Sequence, residues 1–339
     1  MSFRQGLCLY IVYTLGSIVF YLGSINKYTI FSLLVAYLFS LPMLFVYSRL
    51  IKRKQNIFSI FDNKYIQHIF RIFLLFFMVY VASKEVFNYT YFIVQMIFVR
   101  TNKRLIYLFG FIIFYLVLKN GMESLARYSQ TSFVLIMFFI LIITGLSIDK
   151  VNIYNVLPII PRDINGVLNG VLYYLLHTFL DIFVLHNIFL NVKDNQKIYY
   201  LGGFLSFVLI TFIAIRLISV IGLNMTQEVI YPLYSSISLI DLDNYITRIE
   251  SLSIIVYFFS TSTRIIAIVY ILNEEFKRLF KVESDSLLAP IIIFVIEFSN
   301  IIYHTLDEEV NFVWYYLIIS FVTLVLFTII LLFKRQRTI

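Results

Sequence analysis

Nine charged side chains lie inside long apolar stretches of this chain: Arg71, Lys84, Glu85, Glu123, Arg127, Asp181, Arg216, Arg264 and Glu297. A charge held near the centre of a bilayer costs at least about 2.5–3.5 kcal/mol, so each is a candidate for pairing, ligand contact or proton handling. Arg71 and Arg127 fall within two turns of a polar boundary and can snorkel to it. Lys84 and Glu85 are neighbours on one helix and point about 100° apart, which favours partners on other helices over a mutual salt bridge. Asp181, in Leu176-His177-Thr178-Phe179-Leu180-Asp181, needs a donor or a proton. Arg264 ends the polar patch Ser260-Thr261-Ser262-Thr263-Arg264. Hydroxyls in a membrane helix can bond back to carbonyls one turn earlier, yet four in a row beside an arginine exceed that need. Arg264 and Asp181 are a candidate buried pair.

Unwound backbone at membrane depth survives only where it lines a cavity, so helix breaks are a second signal. Thr14-Leu15-Gly16-Ser17 predicts a break in an otherwise apolar helix, while Gly166 and Gly170 have the small-xxx-small spacing of close helix packing. No catalytic constellation is present: there is no phosphate-cradling Gly-rich loop, no G-x-S-x-G and no H-E-x-x-H. His68, His177, His186 and His304 are scattered without ligand spacing, and the single Cys8 excludes an internal disulfide and a thiolate cluster. No metal, cofactor or enzymatic turnover is expected.

These residues must be positioned by membrane helices. The 339-residue chain is 61% hydrophobic and 14% charged, with a mean hydropathy of +0.90. A soluble domain is roughly half apolar and a quarter charged, so a soluble globular enzyme is excluded. Ten runs could each span a bilayer, at 6–23, 29–51, 66–98, 103–119, 122–148, 166–191, 198–222, 251–273, 286–303 and 311–333. They predict an all-α polytopic membrane protein forming one transmembrane domain over 1–339. The first run, with one basic residue before it and no small-residue cleavage site, reads as a retained signal anchor. The third would be about 50 Å long and must tilt or project. The net charge of +8 is read against the membrane and not against nucleic acid. With the N-terminus inside, fifteen Lys and Arg fall in inner segments and seven (Lys27, Arg100, Lys103, Arg104, Lys150, Arg162 and Arg248) in outer ones, which predicts both termini in the cytoplasm.

Three stretches resemble the B subunit of GerA-type spore germinant receptors, members of the amino acid/polyamine/organocation transporter superfamily. Gly121-Met122-Glu123-Ser124-Leu125-Ala126-Arg127 resembles the family's G-x-E-x-x-A-R. Asn155-Val156-Leu157-Pro158 precedes the sixth run, and Tyr231-Pro232 followed by Arg248-Ile249-Glu250 is similar to an aromatic-Pro and R-x-E before the eighth. Tyr257 and Arg264 fall where the family tends to carry Trp and Lys. Two departures stand out: the first run lacks the family's Gly-rich, Pro-terminated pattern, and the sixth lacks a Gly just before Asp181.

The resemblance implies a LeuT-like inverted 5+5 repeat with broken helices 1 and 6 around a midplane site walled by helices 3 and 8. It also implies a nutrient-sensing subunit in the inner membrane of the endospore, working with A-type and C-type subunits on a small ligand, typically an amino acid. In that frame Gly16 and Ser17 would offer backbone groups and Asn88 and Tyr91 would line the wall. Thr178, Asp181, Ser260, Thr261 and Thr263 would complete the ligand set, and Lys84, Glu85, Arg264 and Glu297 would be structural or coupling charges. Two alternatives stay open: a transporter of the same fold coupled to protons through Asp181 or Glu85, and a scaffold subunit with a degenerate pocket.

Overall fold

The computed structural model describes residues 1–18, 28–59, 61, 63–98, 100–157, 164–192, 195–222, 225–226, 229, 231–239, 250–282 and 285–302. Among them the regular elements are all helical. The first half contains α1 (Phe3–Ile18), α2 (Thr29–Lys52), α3 (Lys64–Phe92, prolonged by a π-helical turn at Ile93–Ile97), α4 (Lys103–Lys119) and α5 (Gly121–Leu146). The second contains α6 (Ile164–Tyr174), α7 (His186–Phe189), α8 (Ile198–Ile221), α9 (Pro232–Ser238), α10 (Ser251–Phe280) and α11 (Leu288–Ile302). The tenth run at 311–333 and Arg248 lie outside the described residues.

Local sequence explains where several helices begin. Asn63 and Asn102 cap α3 and α4, their side-chain oxygens accepting from the Tyr65 and Arg104 amides at 2.9 and 3.0 Å. Gly121 adopts a φ of 70°, a left-handed conformation that lets the chain reverse between α4 and α5 and that accounts for the glycine heading the G-x-E-x-x-A-R stretch. Pro232 opens α9, where its missing N–H has no helical acceptor to lose.

Six stretches are long and apolar enough to cross a membrane: Thr29–Lys52, Lys64–Ile97, Gly121–Leu146, Ile164–Phe189, Asn195–Ile221 and Ser251–Phe280. Helix α1 is the centre of the bundle. It is buried on every side from Leu9 to Ser17, as an all-round apolar helix must be, and it packs against α5, α8 and α10. Helix α10 packs in turn against α3 and α5, with Ser260–Val269 wholly buried. The outer helices instead present large apolar side chains outward, among them Phe39, Phe109, Leu116, Phe138, Leu141 and Phe294. So extensive an exposed apolar surface is the signature of a lipid-facing wall.

The structure corrects three expectations. No break occurs at Gly16-Ser17, since the chain is helical through Ile18. The glycine is required for another reason: a Cβ at position 16 would lie 2.6 Å from the carbonyl oxygen of Ser260, so it lets α1 and α10 touch backbone to backbone. The eighth run does not stop at residue 273, because its helix continues to Phe280 with a polar end. There Glu274 pairs with Lys277 at 3.4 Å and Glu275 with Arg278 at 2.6 Å. Arg71 does not merely snorkel but reaches buried Glu275 at 3.4 Å. Gly170 packs against Ser32 of α2, in line with its spacing.

Candidate functional site

The sixth run is where the helical backbone changes character. From Ile164 to Tyr174 it is an α-helix, from Leu175 to Leu180 it widens to a π-helix, and from Asp181 to Leu185 it tightens to a 3₁₀-helix before α7. Such changes of pitch concentrate at functional positions because they release backbone groups from the regular ladder. With no glycine just before Asp181 the chain has no inexpensive access to left-handed φ, and the irregularity takes the form of altered pitch.

Asp181 is fully buried at this transition, and the structure brings four elements to it. Arg264 of α10 pairs through Nη2 with Asp181 Oδ2. Its Nε lies 2.9 Å from Oε1 of Glu85 on α3, an ionic contact in which the N–H is not aimed at the oxygen. Its Nη1 donates to the Tyr13 carbonyl of α1 at 3.3 Å, and the guanidinium stacks 4.5 Å from the Tyr13 ring centroid. The Tyr13 hydroxyl completes the cluster by donating to Asp181 Oδ1 at 3.4 Å. Lys84 is buried beside Glu85, and His177 lies within electrostatic reach of both Lys84 and Arg264. Two cations and two carboxylates therefore share one buried junction of α1, α3, the sixth run and α10. In a low-dielectric interior such charges persist only as a balanced, hydrogen-bonded set.

Around this core the hydroxyls divide. Ser260 and Thr263 donate to the carbonyls of Val256 and Phe259 at 2.7 and 2.6 Å, and Ser262 donates to Phe258 at 2.5 Å. Their protons are spent on their own helix, with Ser262 also meeting the Tyr128 hydroxyl at 2.7 Å. The hydroxyls of Thr178 and Thr261 are buried without a hydrogen-bond partner among the described residues. Each stands one turn before a member of the central pair, Thr178 before Asp181 and Thr261 before Arg264. Ser17 bonds back to Thr14 at 2.7 Å. Asn88 is buried one turn after Glu85, whereas Tyr91 is half-buried.

Two turns beyond Glu85 and two turns before Arg264, on the same helix faces, Phe92 and Tyr257 meet with ring centroids 4.2 Å apart. Tyr231 and Tyr234 close on Phe92 at 5.0 and 6.2 Å. This aromatic layer covers one end of the charged junction. Sequence reading passed over Tyr13 and Phe92. The seven-residue step from Glu85 to Phe92 was a usable signal for the second, while nothing local marked the first.

Other candidate residues lie elsewhere. Glu297 is exposed on the face of α11 opposite Ile292, Val295, Ile296 and Ser299, and does not join the internal cluster. Glu123 and Arg127 pair with each other at 2.5 Å on the outer face of α5, each 74% exposed. Glu250 precedes α10, its carbonyl accepting from the Ser253 hydroxyl at 2.6 Å. His186 is a satisfied core residue held by the Tyr199 hydroxyl at 2.9 Å and the Gln55 carbonyl at 3.1 Å. No cluster suited to a metal ion occurs among the described residues.

A family model described as spore germination protein matches residues 1–309 of the chain. No curated protein matches it.

Proposed function

The chain belongs to the spore germination protein family, and from that premise we propose that it is a nutrient-sensing receptor subunit whose ligand binds at the midplane junction of α1, α3, the sixth run and α10. It is an integral membrane protein of a germination-related permease family. In the reading proposed here the chain forms one domain of ten spans over 1–339, arranged as an inverted 5+5 repeat, in the inner membrane of the spore. Both termini are cytoplasmic, and A-type and C-type subunits read its state. It acts by recognition, without turnover: a small ligand, an amino acid in the leading case, shifts a conformational equilibrium by binding one state better than the other.

The observation that carries this reading is the pair of unpartnered buried hydroxyls, Thr178 and Thr261, each one turn from the Arg264–Asp181 pair. An unsatisfied buried hydroxyl costs about 1–3 kcal/mol, a cost that a ligand hydrogen bond would remove. Thr178→Val tests it, because valine keeps the shape and deletes only the hydroxyl. Spores carrying the variant should contain normal amounts of the protein and need about tenfold more nutrient for half-maximal germination, the equivalent of one hydrogen bond of about 1.4 kcal/mol. An unchanged nutrient response in both Thr178→Val and Thr261→Val would remove these residues from the site. Proton-coupled transport through Asp181 or Glu85 is the second reading, supported by the burial of both carboxylates. Purified protein that concentrates an amino acid in vesicles against its gradient would establish it in place of sensing.

A further inference from the structure

Arg216 lies on α8, five residues before Ile221, and is 6% exposed. Arginine keeps its charge in proteins, and a buried charge without a counter-charge costs several kcal/mol. Among the described residues no carboxylate pairs with it. Its partners are two hydroxyls: Nε donates to Ser147 Oγ at 3.2 Å and Nη1 to Ser236 Oγ at 2.7 Å. Both serines pass their own protons to carbonyls, Ser147 to Thr144 at 3.0 Å and Ser236 to Leu233 at 2.7 Å. Their lone pairs are thereby turned to the guanidinium. The remaining nitrogen, Nη2, is buried with no acceptor among the described residues.

The surroundings are built, with little left to chance. Ser147 follows α5, Ser236 belongs to α9, and the segment after α5 is pinned to α8 where the Asn152 amide and the Asn155 side chain donate to the Ser219 carbonyl at 2.9 and 3.2 Å. Three elements therefore converge on a guanidinium that, among the described residues, has no negatively charged acceptor.

We propose that Arg216 is the anchor of a small-monoanion site at the junction of α5, α8 and α9, with Nη2 donating to a chloride or to one oxygen of a carboxylate. The site is separate from the midplane junction, and occupation of it ties α9 to the end of α5.

The test uses purified full-length protein in detergent. Its thermal unfolding is followed while sodium chloride or sodium acetate replaces sodium isethionate at constant ionic strength. Either probe should raise Tm saturably by about 2 °C or more, and acetate acting at lower concentration than chloride identifies a carboxylate as the preferred ligand. Arg216→Gln should abolish the rise. Ser236→Ala, which keeps the guanidinium but frees a second nitrogen, should move the midpoint to at least threefold lower anion concentration, and it serves where the glutamine variant fails to fold. The proposal is overturned if the glutamine variant responds like the parent, or if the Ser236→Ala midpoint does not move. It is also overturned if the parent responds only after neutralisation of Glu228, Asp241 or Asp243, which would make the counter-charge internal. None of these outcomes bears on the midplane reading, which is tested by germination of the Thr178 variant.

Discussion

At the scale of single residues, Arg264 is the side chain on which most of the interior depends. It touches groups from three other elements, Asp181, Glu85 and the Tyr13 carbonyl, while exposing 1% of its surface. Removing one member of a buried ion pair leaves the other uncompensated, at about 3–5 kcal/mol. Arg264→Leu should therefore reduce the amount of protein in the membrane severalfold and lower its Tm. Adding Asp181→Asn should restore part of both, since it deletes the stranded charge. Quantitative immunoblotting and detergent melting curves measure the two effects. A single Arg264→Leu variant that accumulates and melts like the parent would show that the pair is dispensable for folding. Lysine is not an equivalent replacement, because a point charge cannot reach two carboxylates and a carbonyl in three directions at once.

Helices set how closely those residues can meet. The approach of α1 to α10 is governed by Gly16, where any Cβ would collide with backbone that cannot rotate away. Gly16→Val should separate the two helices and lower stability by about 1–3 kcal/mol, as overpacking does. Gly145 of α5 is the matched control: no atom of the described residues lies within 4 Å of a Cβ built there. Gly145→Ala should be neutral or slightly stabilising, by about 0.5–1 kcal/mol, through reduced freedom of the unfolded chain. Equal melting temperatures for the two variants would contradict the close contact. The length of α10 is also an element-scale matter. Hydropathy falls away at residue 273, but spaced acid and base at i,i+3 and the reach of Arg71 to Glu275 carry the helix on to Phe280.

For the whole molecule, two populations of helices are distinguished by what surrounds them. Helix α1, the second half of α3, the sixth run and most of α10 are enclosed by protein, whereas α2, α4, α5 and α11 turn apolar side chains outward. The direction in which this bundle crosses the membrane is a proposal that rests on its loops. With fifteen basic residues in one set of segments and seven in the other, the positive-inside bias predicts that both termini are cytoplasmic. In a background where Cys8 is replaced by alanine, Asn311→Cys should react with an impermeant thiol reagent added outside intact cells, and Gln336→Cys should not. Labelling of the second position from outside would reverse the assignment.

What the sequence determined by itself was whatever composition and local spacing control. Sixty-one percent hydrophobic residues in long runs leave membrane helices as the available fold, because backbone polar groups in lipid must be satisfied within their own segment. The run 103–119 coincides with α4, Lys103–Lys119, while the other described helices differ from their runs at one or both ends. The cost of intramembrane charge likewise singled out Asp181, Glu85 and Arg264 before any contact was known. Tertiary structure alone decided which of them meet. Glu297 carries the same charge and lies in the same kind of run, yet it faces away from the core, because the rotation of α11 is set by the packing of Ile292, Val295 and Ser299 and not by its own sequence. It also decided that Gly16 is a point of contact and not a break, that Thr261 alone of four hydroxyls lacks a partner among the described residues, and that Arg216 is buried among serines. Each depends on atoms contributed by helices far apart in the chain, and no local pattern encodes that distance.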